Sequence, residues 1–170
     1  MSDTLDLLMT RRSIRSYTDE PVGQQDVEAI LRAGMAAPSA GNQQPWHFVV
    51  IRDRATMERI MVVHPYSSML AGAGVCIAVV ADTALERHRG YWVQDCSAAT
   101  QNILLAAHAL GLGAVWLGVH PVKDRVDGLA EILRLPEEAI CLSLVSIGHP
   151  AESPGPADRY DPARVHRERW

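Results

Sequence analysis

Cysteine is scarce in this chain of 170 residues, and what there is does not pair. Cys76, Cys96 and Cys141 are far apart, odd in number and form no CxxC. A disulfide framework is excluded, and buried free thiols in a reducing compartment are expected. Aromatics are thin as well. With four Trp, four Tyr and a single Phe, the core must rest on Leu, Ile, Val, Ala and Met. No apolar run is long enough to span a bilayer; residues 103–119 come nearest, and His108, Gly111 and Gly113 interrupt them. The seven histidines show no HExxH or paired-ligand spacing, so no metal is expected. No GxGxxG follows a strand, which argues against a resident dinucleotide fold. A net charge of -4 leaves no basic surface for a nucleic acid. The chain opens with Asp3 and Asp6 rather than a basic-then-apolar leader. These absences together predict a cytoplasmic protein that binds neither nucleic acid nor membrane.

What is present suits one globular domain over residues 1–170. Hydrophobic residues make up 48%, enough for one substantial core. Apolar residues at helical spacing predict helices over residues 4–10, 24–35, 55–62, 91–110 and 122–133. Continuous apolar runs predict strands over 46–51, 75–81, 114–119 and 139–147. Residues 67–70 remain ambiguous. The long helix over 91–110 is apolar on almost every side, which predicts burial all round. In a chain this short, such burial is easier at a subunit interface than inside one protomer. From Ser153 onward the chain is rich in proline and charge, with little regular pattern. Tyr160, Val165 and Trp170 are apolar anchors there, and they predict an ordered tail lying over a neighbour.

Two segments carry chemistry. Arg11-Arg12-Ser13-Ile14-Arg15 packs three guanidinium groups and a hydroxyl into five residues. Guanidinium binds phosphate oxygens through charge-assisted, bidentate hydrogen bonds. In an acidic chain this basic knot is local and points to one small phosphorylated ligand; a solvated helix end is the alternative. Further on, Pro38-Ser39-Ala40-Gly41-Asn42-Gln43-Gln44-Pro45-Trp46 reads as a shaped, amide-rich loop entering an apolar strand. Its Ser, Asn and Gln side chains offer donors and acceptors to the edge of a planar heterocycle. An ordinary loop-to-strand connection is the alternative.

These segments resemble the nitroreductase family of FMN enzymes. The likeness continues through Gly111-Leu112-Gly113-Ala114-Val115-Trp116-Leu117-Gly118, through Ile147-Gly148-His149-Pro150-Ala151-Glu152, and into Arg159-Tyr160-Asp161 and Arg164-Val165-His166. The order and spacing of these motifs make the match specific. The resemblance implies an α+β fold of three layers, α/β/α, around a mostly antiparallel sheet, in an intertwined homodimer whose tail, residues 153–170, wraps the partner. It implies FMN as cofactor and NADH or NADPH as co-substrate. Nitro compounds, quinones or similar small molecules would be reduced by ping-pong hydride transfer through flavin N5. Specialised flavin chemistry, or non-catalytic FMN binding, are the other functions the scaffold admits.

The same resemblance assigns roles. Arg11, Ser13 and Arg159 would hold the phosphate, with Arg12 contributing through its backbone. Arg15 would sit at the pyrimidine edge and tune the reduced flavin. Pro38, Ser39, Ala40 and Asn42 would line the ring from the other subunit. Trp116, Leu117 and Gly118 would bring main-chain N–H near N5. Two departures from the family are visible. Residues 65–69 carry no basic or Asn side chain for the cofactor, and no long helical insertion covers the site. A more open pocket is expected.

Overall fold

Two of the helix ends have a clear local cause, the start of the helix at Arg54 and the end of the helix at Ala109. The computed structural model describes residues 3–170. Helix α1, Asp3–Thr10, is followed by an extended segment and by α2, Gln24–Met35. Val27, Ile30 and Gly34 form the buried stripe of α2, while Glu28 and Arg32 pair one turn apart on its exposed side. Strand β1, Trp46–Ile51, leads into α3, Arg54–Val63, capped by the Asp53 carboxylate, which accepts from the Thr56 amide at 2.8 Å. Strand β2, Val75–Asp82, precedes α4, Trp92–Ala109. Gly111, at φ 75°, ends that helix, its amide reaching back to His108 O and that of Leu112 to Ala107 O. Strand β3, Gly113–Gly118, helix α5, Lys123–Leu133, and strand β4, Ala139–Gly148, complete the fold.

The four strands form one antiparallel sheet in the order β1-β2-β4-β3. Strand alternation divides the core into two layers. Val75, Ile77, Val79 and Ala81 of β2 pack with Ile30, Ile103 and Leu104 of α2 and α4. Cys76, Ala78 and Val80 turn the other way, toward Met57, Ile60 and Leu129 of α3 and α5. The result is the three-layer α/β/α arrangement expected from the resemblance. Helices α2 and α4 approach closely because Gly34 has no side chain; a Cβ there would lie 3.1 Å from Ile103 and 3.2 Å from Phe48.

One irregularity matters for the site. The β2–β4 register slips between Val79 and Val80, so Leu142 is an extra residue in β4. Its carbonyl accepts from both Val119 and His120, which fixes the chain just beyond β3.

The strands and helices fall within two residues of the predicted bounds. Two differences are physical. Residues 40–42 form a single 3-10 turn inside the loop that the prolines and glycine had suggested was helix-free, and residues 68–71, left ambiguous, form another. Helix α4 is not buried all round in this chain: Trp92, Asp95, Cys96, Ala99, Thr100, Ile103, Leu104 and Ala107 are buried, whereas Gln94 and Gln101 face solvent and Leu105 and Ala106 are half-buried. Among the described residues no helix is long and apolar enough to cross a membrane. The three thiols are free and buried.

Candidate functional site

Strand β3 is an edge strand, and the segment carrying the arginines runs along its open side. Ser13 bridges Ala114 in parallel, and the Ile14 amide donates to Ala114 O at 3.0 Å. Since Ala114 turns its carbonyl outward, alternation points the N–H groups of Trp116 and Gly118 to the same free edge. An extended segment advances at most roughly 3.3–3.6 Å per residue, so Arg11 and Arg15 stand no more than about 14 Å apart along the backbone.

The C-terminal segment holds the arginine segment in place. Thr18 donates to His149 O, Ala151 donates to Ser16 O, and Tyr17 bridges Pro150. Glu152 accepts from two consecutive amides, Arg15 at 2.5 Å and Ser16 at 3.1 Å. Tyr17 donates to Ile14 O at 2.8 Å, and burial pushes its hydroxyl up to about 12. Arg12 donates to the carbonyls of Met9, Arg11 and Gly155, so its guanidinium ties α1 to the tail.

At the Arg11 end, like charges gather. Burial, then the cations of Arg159 and Arg12, lower the Arg11 pKa. Burial, followed by Arg11 and Arg12, also lowers that of His108, whose Nε2 lies 3.0 Å from Thr10 Oγ1. Among the described residues no carboxylate forms an ion pair with Arg11, Arg12 or Arg159. Cations held together without a counter-charge create a site that favours an anion.

At the other end, Arg15, Trp116, Leu117 and Gly118 line a cleft of about 480 Å³ with Tyr66 and Arg125. The Gly118 carbonyl accepts from the buried His64 Nε2 and from Arg125, each at 2.9 Å. The imidazole therefore carries its proton on Nε2, leaving Nδ1 buried without a partner. Arg125 also stacks 5.4 Å over the Tyr66 ring. A Cβ added at Gly118 would meet nothing within 4 Å, so this point of the edge lies open.

The loop at residues 38–44 lies elsewhere. Pro38, Ser39 and Ala40 line a separate concavity of about 350 Å³ with Tyr91, Gln94 and Asp95, which shares no residue with the first. Gly41, Asn42 and Gln44 have positive φ, at 52°, 55° and 48°. A buried network holds this shape. Asp95 accepts from the Ala40 amide at 2.9 Å and from Gln43 Nε2 at 2.7 Å, while Gln43 Oε1 accepts from the amides of Arg87 and His88. Gln43 is thus turned inward, away from any ligand. Asn42 keeps its side chain exposed.

The sequence reading therefore splits into three groups in one chain. Arg11 and Arg159 cluster, Arg15 joins Trp116, Leu117 and Gly118 in a cleft, and Pro38, Ser39, Ala40 and Asn42 stand apart. Ser13 sits on the β3 edge between the first two groups. Missed from sequence were His64, Arg125 and the Asp95–Gln43 pair. His64 precedes a proline and reads as turn chemistry; Asp95 reads only as a helix-start residue. Glu152 belonged to a recognised motif but had no assigned role.

Comparison with known proteins places the chain in a family. The nitroreductase family profile matches residues 8–149. A protein of Methanothermobacter thermautotrophicus, provisionally named an NADH dehydrogenase/NAD(P)H nitroreductase, is 51% identical over 99% of this chain and 88% of its own length. A crystal structure from Bacteroides thetaiotaomicron with the same provisional name has a TM-score of 0.96 at 39% identity, covering 100% of this chain and 99% of that one. A structure from Desulfovibrio desulfuricans, provisionally called a nitroreductase and solved in complex with FMN, has a TM-score of 0.87 at 35% identity, covering 100% and 99%.

Proposed function

This chain belongs to the nitroreductase family, and from that premise we propose that it is an FMN-dependent oxidoreductase that uses NADH or NADPH to reduce nitro compounds, quinones or similar acceptors. The residues present fit FMN. Arg11 and Arg159 gather with no carboxylate ion pair among the described residues, and one extended segment links them to a cleft along the outer edge of β3 whose Gly118 face is open. That linkage, a cation site at one end and an open hydrogen-bonding edge at the other, is the observation that carries the reading. Relatives named for NAD(P)H nitroreduction and a neighbour crystallised with FMN support it.

When bound, FMN supplies the hydride acceptor and donor at its N5. The protein's part is binding, orientation and charge. Arg11 and Arg159 hold the phosphate, with the Ser13 hydroxyl as a further donor and Arg12 contributing main chain. Arg15, which lines the cleft, would supply a cation to stabilise the negative charge of the reduced flavin. The edge amides of Trp116 and Gly118, with Leu117 behind them, would offer hydrogen bonds to the ring. No acid–base dyad is needed. Dinucleotide and acceptor use the same open cleft in turn, which is ping-pong order.

Two copies of the chain complete each site. Pro38, Ser39 and Ala40 line a concavity of their own, with Asn42 exposed on the same loop, and in this reading they reach the flavin from a partner subunit. The apolar side of α1 supports this, with Leu5, Leu8 and Met9 all about half-exposed, as does the half-open outer face of α4. The tail supports it too: Tyr160, Val165 and Trp170 are exposed on a single chain and would bury against a second. Buried free thiols support residence in the cytoplasm.

The test is anaerobic. Purified protein loaded with FMN should lose its flavin absorbance on addition of NADH or NADPH and regain it with a nitro compound or quinone. A flavin band unmoved by either dinucleotide would reject the reductase reading.

A further inference from the structure

Between β2 and α4 the chain makes a tight turn that presents Arg87, His88 and Arg89, all exposed. The turn is rigidly built. The Glu86 carboxylate accepts from the amides of Gly90 at 2.8 Å and Trp92 at 3.1 Å, so this acid is used on backbone. The amides of Arg87 and His88 donate to the buried Gln43, and Arg87 Nη2 donates to Asn42 O at 3.2 Å. His88 lies directly over Gly41, where a Cβ would come within 2.3 Å of its ring nitrogen, and meets Tyr91 edge-on at 6.4 Å. The turn and the 38–44 loop are therefore one unit, joined through Gln43 and Asp95. Among the described residues no carboxylate forms an ion pair with Arg87 or Arg89. In a chain of net charge -4, two guanidinium groups without a carboxylate partner among the described residues and an imidazole emerge from a turn joined to the loop assigned to the flavin ring.

We propose that the Arg87–His88–Arg89 turn docks the phosphate groups of the nicotinamide dinucleotide while its nicotinamide lies in the cleft. This rests on the FMN-reductase reading, because it requires the 38–44 loop to face a flavin. The flavin phosphate already has its own cations in Arg11 and Arg159, on a different part of the chain. The electron donor is the other phosphorylated ligand of the reaction, and no other site on the chain is assigned to it. Guanidinium suits the forked recognition of diphosphate and ribose phosphate oxygens. Contacts of this kind lie on the rim, remote from the reacting carbon. They bind ground state and transition state alike, so they act on KM and leave kcat in place.

Arg89 is the residue to change, because Arg87 also supports Asn42 and His88 supports Gly41. The measurements use FMN-loaded dimer at low ionic strength. Arg89→Glu should raise KM for NADPH about tenfold or more, and KM for NADH less, since NADPH carries one more phosphate. Arg89→Lys should recover most of the affinity. Competitive inhibition by 2′,5′-ADP should weaken in parallel with KM for NADPH. The FMN dissociation constant, the flavin potential and KM for an uncharged quinone should not move. An Arg89→Glu enzyme that binds FMN and is reduced with unchanged KM for both dinucleotides would overturn the assignment and leave the reductase reading intact. An effect confined to an anionic acceptor such as nitrobenzoate would also overturn it. Failure of the parent protein to bind FMN would instead defeat the reading beneath it.

Discussion

Glu152 and Arg15 are joined by main chain rather than by opposite charge: the carboxylate of one accepts from the amide of the other and from the next amide, Ser16. A residue 137 positions away therefore sets where the Arg15 guanidinium emerges. Glu152→Ala should weaken FMN binding about tenfold and lower stability by about 1–2 kcal/mol, as two amides lose a charged acceptor at a partly solvated site. Glu152→Gln keeps an acceptor oxygen and should lose less of both. Fluorescence titration with FMN and thermal melting read the two effects. Equal behaviour of Ala and parent would mean that the brace does not position Arg15.

Arg11 and Arg159 should act on the phosphate alone. Arg11→Ala or Arg159→Ala is expected to weaken FMN about 10- to 100-fold, the effect of losing a charge-assisted bond to a dianion. Riboflavin, which lacks the phosphate, should bind parent and variants alike. A matching loss for riboflavin would place these cations elsewhere.

Gly118 and Gly113 stand on the same strand and should respond in opposite ways. At Gly118 a methyl group enters open space, so Gly118→Ala should change stability by no more than about 0.5 kcal/mol. Its cost should fall on FMN affinity if the proposed site is right, because the ring is proposed to occupy that space. At Gly113 the new Cβ would meet Ile14 at 2.6 Å, so Gly113→Ala should destabilise by about 1–3 kcal/mol. Melting curves beside FMN titrations separate the two. Unchanged affinity in Gly118→Ala would move the ring away from this edge.

The legibility of such effects in the sequence is uneven. Helices and strands were readable because apolar spacing records which faces are buried. The cluster of cations was readable because like charges close together in sequence, Arg11 and Arg12, stay close when the backbone is extended. The role of Arg159 needed the family likeness, since nothing local says that the tail returns. His64 and Arg125 were not readable. They meet at one carbonyl, Gly118 O, and that meeting depends on α3 and α5 packing on the same face of the sheet. Gln43 was read as ligand-facing because an amide shows its capacity but not its direction. The buried Asp95, distant in sequence, turns it inward.

Arg15→Leu should lower the flavin midpoint potential and slow reduction by NADPH. Removing one fixed cation of about 1–2 kcal/mol in effect corresponds to about 20–40 mV for a two-electron couple. Spectroelectrochemistry and anaerobic stopped flow measure the two quantities. An unchanged potential would refute the tuning role.

His108 gives the protein an acid limit. Burial first, then Arg11 and Arg12, hold its pKa below the ordinary 6.5 in the folded state. On acidification the unfolded chain takes up the proton first. The contribution of the neutral imidazole is present above pH 6.5 and is lost as pH falls through the folded value. A phosphate dianion bound among the same arginines should raise that value. Imidazole NMR titrations with and without FMN should show the shift upward on binding. Titration at or above 6.5 in the free protein would contradict the charge arrangement.

Because the two concavities of one chain share no residue, damage to them is separable by genetics. In the proposed dimer, a polypeptide carrying Arg15→Leu and another carrying Asn42→Ala would each assemble with two impaired centres. Co-expressed, they would form mixed pairs in which one centre inherits both lesions and the other inherits neither. Activity would reappear from two crippled alleles.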